Sequence, residues 1–158
     1  MIVEWLNHTG LVVSDMERSM AFYRDVLGLT EERNEVLEGE MISLVTGFEN
    51  TKLHVAYLGN GDMRHSVELV QYLNPVAKDA PRIPSNAVGT AHLGAIVKDL
   101  DAVFGDLSAM GLEFVGPPAV RPDALYPWAR KACFLTDPDG YLIELIERAP
   151  TPPGEKAV

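Results

Sequence analysis

His8-Thr9-Gly10-Leu11-Val12-Val13-Ser14-Asp15 is matched by His92-Leu93-Gly94-Ala95-Ile96-Val97-Lys98-Asp99, 84 residues further on. Each stretch reads as a strand that opens on histidine and runs into an aspartate placed to cap a helix. Two more pairs follow. Val26-Leu27-Gly28-Leu29 answers Ala109-Met110-Gly111-Leu112 at an offset of 83, and Val67-Glu68-Leu69-Val70 answers Ile143-Glu144-Leu145-Ile146 at 76. An internal repeat sets the architecture, because each copy is one unit of supersecondary structure. Both halves read strand, helix, then strands. One helix per run of strands implies an α+β fold whose sheets are shielded on one side. The falling offset puts the deletions of the second half in its middle strands.

Working outward, the first half opens with a strand over Trp5–Val13. A helix follows, capped by Ser14 or Asp15 and closed by Gly28, with Met16, Met20, Phe22, Tyr23, Val26 and Leu27 as its apolar side. Strands are expected at Leu29–Leu37, Met41–Phe48 and Lys52–Leu58. The turn Gly59-Asn60-Gly61-Asp62 leads into a strand from His65 to Tyr72. Pro75, Pro81 and Pro84 mark a linker. The second half expects a strand over Gly89–Val97, and a helix after Asp99 with Leu100, Val103, Phe104 and Leu107 inward. Gly111 ends that helix, and strands follow at Leu112–Val115, Lys131–Thr136 and Tyr141–Glu147. The expected organisation is a first module over 1–73, a linker over 74–88, a second module over 89–148 and a disordered, proline-rich tail over 149–158.

The chain has 158 residues, 47% of them hydrophobic and 23% charged, which excludes disorder for its bulk and fits one globular domain or two small fused modules. Its net charge of −10 offers no positive field to a polyanion, so neither nucleic acid nor an anionic membrane is an expected partner. No apolar run approaches the roughly 18 residues of a membrane span. Met1-Ile2-Val3-Glu4-Trp5 lacks the basic start of a secretory signal, and the single Cys133 cannot form a disulfide within the chain. The expected compartment is the cytoplasm, with Cys133 a buried, inert thiol.

The repeat also delivers chemistry. His8 and His92 sit on the opening strands, and Glu68 and Glu144 on the closing ones. A lone His or Glu in a strand is ordinarily a surface residue. Four of them at repeat-related places among apolar neighbours are harder to explain that way. An isolated carboxylate in Tyr141-Leu142-Ile143-Glu144-Leu145-Ile146 would cost several kcal/mol or protonate. A divalent cation removes that difficulty by binding the charged form. His with carboxylate suits Ni, Zn, Co, Mn or Fe without selecting among them.

These segments resemble the vicinal oxygen chelate superfamily, also called the glyoxalase, bleomycin-resistance and dioxygenase family. The marks are Asn7-His8-Thr9-Gly10-Leu11-Val12-Val13-Ser14-Asp15, Ala21-Phe22-Tyr23-Arg24-Asp25-Val26-Leu27-Gly28-Leu29, Ala91-His92-Leu93-Gly94 and Asp137-Pro138-Asp139-Gly140-Tyr141-Leu142-Ile143-Glu144-Leu145. The resemblance covers about Trp5 to Arg148. It implies paired βαβββ modules whose curved, mixed sheets enclose a metal, with His8, Glu68, His92 and Glu144 at the ligand positions. It also implies a small-molecule substrate, a homodimer, and a site within one chain or between two. The reaction it implies is isomerase, epimerase or lyase chemistry through an enediolate-like intermediate, with Glu68 or Glu144 as proton shuttle.

Two alternatives stand beside that reading. An iron-dependent extradiol-type dioxygenase needs only two His and one carboxylate, so Glu68 discriminates, and Phe134 stands where that signature has Tyr. A binding or resistance protein without catalysis would lack the ligand set. The segment from Gly116 to Lys131 is long for a connection and reads as a binding loop, a lid or a stiffened surface loop. Its Arg121, Tyr126, Trp128 and Arg130 are the candidate substrate-binding residues. Tyr72 and Tyr126 are candidate donors at the cavity edge. Glu38 stands near a second base of related epimerases, although a solvated turn glutamate is the simpler reading. Alternation puts His65 on the face opposite Glu68, and His54 reads equally as cavity-lining or solvent-facing.

Overall fold

A computed structural model of the chain describes residues 2–62, 64–78, 83–120 and 129–149. The chain divides into two compact units, Met1–Pro81 and Arg82–Val158. In the first, strand β1 (His8–Val12) leads into helix α1 (Met16–Met20), which continues as a π-helical segment, Ala21–Val26. Then come β2 (Thr30–Glu38), helix α2 (Glu40–Thr46), β3 (Lys52–Gly59) and β4 (Ser66–Asn74). The sheet order is β1-β4-β3-β2, with β1 parallel to β4 and the other pairs antiparallel. The second unit repeats this with β5 (His92–Val97), helix α3 (Leu100–Ala109), β6 (Ala119–Val120), β7 (Lys131–Thr136) and β8 (Leu142–Glu147), in the order β5-β8-β7-β6. Both units are therefore βαβββ modules of an α+β fold.

The caps act as the sequence requires. Asp15 accepts a hydrogen bond from the Arg18 backbone at 3.0 Å, and Asp99 accepts one from Ala102 at 3.0 Å. Gly28 and Gly111 close the two helical segments at φ 77° and 83°, a conformation that glycine adopts without penalty. Each sheet turns one face to its helix. In the first unit Leu11, Val13, Ala56, Leu58 and Leu69 are buried there, with Met16, Met20, Phe22 and Tyr23. In the second, Cys133, Leu135, Ile143 and Leu145 are buried with Leu100 and Leu107.

Three expectations about elements are corrected. Residues 41–48 are not a strand, because α2 covers Glu40–Thr46. Met41, Leu44, Val45 and Phe48 recur at helical spacing, Thr46 bonds back to the Ile42 carbonyl at 2.8 Å, and Gly47 closes the turn at φ 76°. Only Ile42 is buried, against Leu53 and Val55. The first helix is not uniformly α, since the Leu27 N–H reaches the Phe22 carbonyl, five residues back. The wider turn lets two adjacent large side chains, Phe22 and Tyr23, both enter the core. Leu112–Val115 forms only a single bridge, Phe114 to Leu135, and the edge strand forms later at Ala119–Val120. Among the described residues no helix is long and apolar enough to cross a membrane.

Candidate functional site

Each candidate ligand lies on the sheet face opposite α1 or α3; in the first unit α2 packs part of the same face through Ile42. In the first unit the parallel register sets Gly10 beside Glu68 and His8 beside Ser66, so alternation puts His8, Gly10, Glu68 and Val70 on one face. His8 Nε2 lies 3.2 Å from Glu68 Oε2. The other ring nitrogen, Nδ1, is 2.8 Å from Asn7 Oδ1. With Nδ1 as the donor to that amide oxygen, Nε2 of a neutral ring would present its lone pair to Glu68. Two lone pairs facing each other at this range repel unless a proton or a cation sits between them. Metal-binding histidines are held in this way, by a hydrogen bond at the nitrogen away from the metal.

The second unit repeats the arrangement. Gly94 pairs with Glu144 and His92 with Leu142, and His92 Nε2 lies 3.3 Å from Glu144 Oε2. Donor atoms at about 2.0–2.2 Å from one ion are separated by about 2.8–3.6 Å, the short end in octahedral and the long end in tetrahedral geometry. Both pairs match that spacing, so the donor set fits a divalent cation. Within either unit, among the described residues, no third His, Cys, Asp or Glu joins the pair.

The two pairs differ in one neighbour. Opposite Glu68 in the antiparallel register stands Tyr57, and opposite Glu144 stands Phe134. Both rings meet the histidine edge to face, with His8–Tyr57 centroids at 5.6 Å and His92–Phe134 at 5.3 Å. The Tyr57 hydroxyl donates to Glu68 Oε1 at 2.5 Å. Burial first, and then that hydrogen bond, push the hydroxyl up to about 12, so it remains a donor at neutral pH.

Gly10 is needed for the approach of Glu68. A Cβ there would lie 3.2 Å from Glu68 Oε2, whereas one at Gly94 would meet only Ile146 Cδ1, at an ordinary 3.9 Å. Gly10→Ala will therefore push the Glu68 carboxylate away from His8. We expect metal affinity to fall about tenfold, the usual lower effect of disturbing a supporting group, and Gly94→Ala to leave it within twofold. Isothermal titration of each apo variant with Zn²⁺ or Ni²⁺ measures both.

The other candidates take separate places. Arg121, Tyr126 and Trp128 lie outside the described residues. Arg130 is on the helix side of its sheet, where its backbone N–H bonds to the Glu147 carbonyl at 2.7 Å and its guanidinium lies 3.6 Å from the Glu147 carboxylate. Glu147 in turn accepts from the Leu100 N–H at 2.9 Å, at the start of α3. His65 bonds to Thr9 Oγ1 at 3.1 Å, which accords with a structural role on the face away from Glu68. His54 shares the helix-side face and bonds to Asn34 Oδ1 at 2.7 Å. Glu38 pairs with Lys52 at 3.0 Å beside an open depression that Glu40, Glu49 and Asn74 also line. Cys133 is buried, and burial pushes its thiol up, as suits an inert side chain. Reading the sequence missed Asn7, Gly10 and Tyr57. Asn7 and Gly10 flank His8 in plain sight, but Tyr57 meets Glu68 only through a hairpin register.

The family model described as the Glyoxalase/Bleomycin resistance protein/Dioxygenase superfamily matches residues 5–145. The chain belongs to this superfamily. Among the relatives of this glyoxalase-superfamily chain is a probable lactoylglutathione lyase of Vibrio cholerae. It is 31% identical, with 89% of this chain and 88% of the relative covered. A lactoylglutathione lyase of Haemophilus influenzae is 30% identical, with 93% and 95% covered. Against some longer eukaryotic relatives the chain spans 36% to 49% of their length. A solved glyoxalase family protein from Bacillus cereus superposes with a TM-score of 0.81 at 26% identity, covering 94% of this chain and 96% of that one.

Proposed function

We propose that this glyoxalase-superfamily chain is a divalent-metal-dependent enzyme that performs lyase or isomerase chemistry on a small oxygenated metabolite. In this reading His8, Glu68, His92 and Glu144 are the metal ligands. The observation that carries it is the recurrence, at repeat-related places, of a His Nε2 and a Glu Oε2 facing each other at 3.2 Å and 3.3 Å. A coincidental surface ion pair has no reason to recur in both halves of a repeat, on the face away from α1 and α3 each time.

A divalent ion bound there supplies Lewis-acid polarisation of a substrate carbonyl and stabilises the negative charge that develops beside it. The chain supplies the rest. The histidines fix the site, His8 through its hydrogen bond to Asn7. A carboxylate oxygen of Glu68 or Glu144 takes the proton from the carbon next to the carbonyl and returns it to the adjacent carbon. Lactoylglutathione, named by the relatives above, is the first substrate to assay. Moving one proton from the hydroxyl-bearing carbon to the thioester carbon, and the hydroxyl proton to the thioester oxygen, would give a hemithioacetal, which releases the thiol with that oxygen's proton to leave a 2-oxoaldehyde. Arg121, Tyr126 and Trp128 are the proposed contacts to the rest of the substrate.

The test is elemental analysis of untagged protein, followed by assay with lactoylglutathione, hydroxyketones and acyl thioesters. About one nickel, zinc, cobalt or manganese ion per chain is expected. Chelation should lower activity at least a hundredfold, and the same ion should restore it. Protein that takes up no ion after incubation with each metal would overturn the reading.

A further inference from the structure

We propose that Tyr57 is a positioning residue that makes the two His–Glu pairs inequivalent, holding Glu68 as a fixed ligand while Glu144 is left free to turn. The inference rests on the reading of both pairs as metal ligands. Its starting point is a comparison the repeat itself provides. β3 meets β4 with Tyr57 opposite Glu68, and β7 meets β8 with Phe134 opposite Glu144. Both rings pack edge to face on the histidine, at interplanar angles of 79° and 90°. The aromatic support of the histidine is thus common to both halves. What differs is one oxygen atom.

That oxygen commits the whole Glu68 carboxylate. Oε1 accepts from the Tyr57 hydroxyl at 2.5 Å, and Oε2 faces His8 at 3.2 Å. Turning Glu68 breaks a charge-assisted hydrogen bond, about twice as strong as one between neutral groups. Glu144 has His92 on Oε2, and among the described residues nothing on Oε1. Its side chain is also the more exposed, at 23% against 16%. Ring packing alone does not account for Tyr57. The ring leans on the cluster of Ile42, Leu53 and Val55, and Phe would fill that place equally well.

The chemistry gives the asymmetry a use. A ligand that never moves keeps the ion in place through turnover, while a carboxylate with one oxygen uncommitted can change its contacts as a proton passes. Two equally loose pairs would release the ion more readily, and two equally tight pairs would leave no carboxylate able to move.

The experiment uses the cobalt-loaded full-length chain and three variants, Tyr57→Phe, Phe134→Tyr and the double exchange. Loss of the cobalt visible spectrum to excess chelator gives the release rate, and kcat and KM are measured in parallel. We expect Tyr57→Phe to load cobalt to the same stoichiometry and to release it about tenfold faster, with an altered visible spectrum. Phe134→Tyr should release cobalt more slowly and lose kcat with little change in KM. Melting temperatures of the apo forms report packing separately. Release rates and spectra unchanged in both single variants, in a protein that loads cobalt normally, would overturn the role of Tyr57 and leave the metal site standing. A wild-type chain that loads no cobalt would overturn both.

Discussion

His92→Ala will remove stoichiometric metal from the protein and lower kcat/KM by about a thousandfold, while the chain still folds. The fold survives because His92 stands on β5, at one edge of its sheet, with half its side chain exposed. Its edge-to-face contact with Phe134 is worth about 0.5–1.5 kcal/mol, which lowers the melting temperature by a few degrees. The metal is not expected to survive, because one proposed ligand is gone and Glu144 loses the neighbour that faces it at 3.3 Å. The thousandfold loss corresponds to about 4 kcal/mol of transition-state stabilisation, a moderate share of what a Lewis acid supplies. Elemental analysis and a circular dichroism melt of the same preparation check the prediction. Unchanged metal content in a folded variant would show that His92 is no ligand.

That the fold was legible, and that four residues stood out as candidate ligands, owes most to duplication. A strand of the His8 type, a helix capped by Asp15 and closed by Gly28, and a strand of the Glu68 type are each weak signals alone. Repetition as His92, Asp99, Gly111 and Glu144 turns them into one argument, and the caps and glycines behave as that argument requires. The errors fell where the second copy is no guide. Residues 41–48 have no counterpart in the shorter half, and Ile42, Val45 and Thr46 carry β propensity. The segment is helical all the same, since Ile42 needs burial on Leu53 and Val55. The π-helical turn at Ala21–Val26 is equally invisible to periodicity, because it answers to two bulky neighbours competing for one core. Pro117 and Pro118 delay the edge strand to Ala119, having no N–H to give a ladder.

The sequence names the candidate pairs His8 with Glu68 and His92 with Glu144, and it hides the difference between them. Alternation could place Glu68 with Ser66 and Val70, but only the register of β1 on β4 sets His8 on that same face. Which residue of β3 stands opposite Glu68 depends on the register across the turn after Gly59, and a slip of one residue would turn Tyr57 to the other face. Gly10 shows the same limit. It looks like any strand glycine until its missing Cβ is seen 3.2 Å from the Glu68 carboxylate.

Glu144→Gln will separate the two duties proposed for this carboxylate. The amide keeps an oxygen able to face the ion, and a shape close to that of Glu, so metal content should fall by less than half. It has no basic oxygen, so it cannot take the proton, and kcat should fall between a hundredfold and ten thousandfold. KM should change little, since positioning groups are untouched. Glu68→Gln should behave in the opposite way. Its amide can still accept the Tyr57 hydrogen bond at only one atom, and if that atom is the oxygen, an NH₂ group is turned on His8. Metal release should then quicken more than kcat declines. Stopped-flow chelation and steady-state kinetics on the two variants read both quantities. If both lost kcat equally and kept their metal, the carboxylates would be interchangeable, and the extra hydroxyl on Tyr57 would have no consequence for turnover.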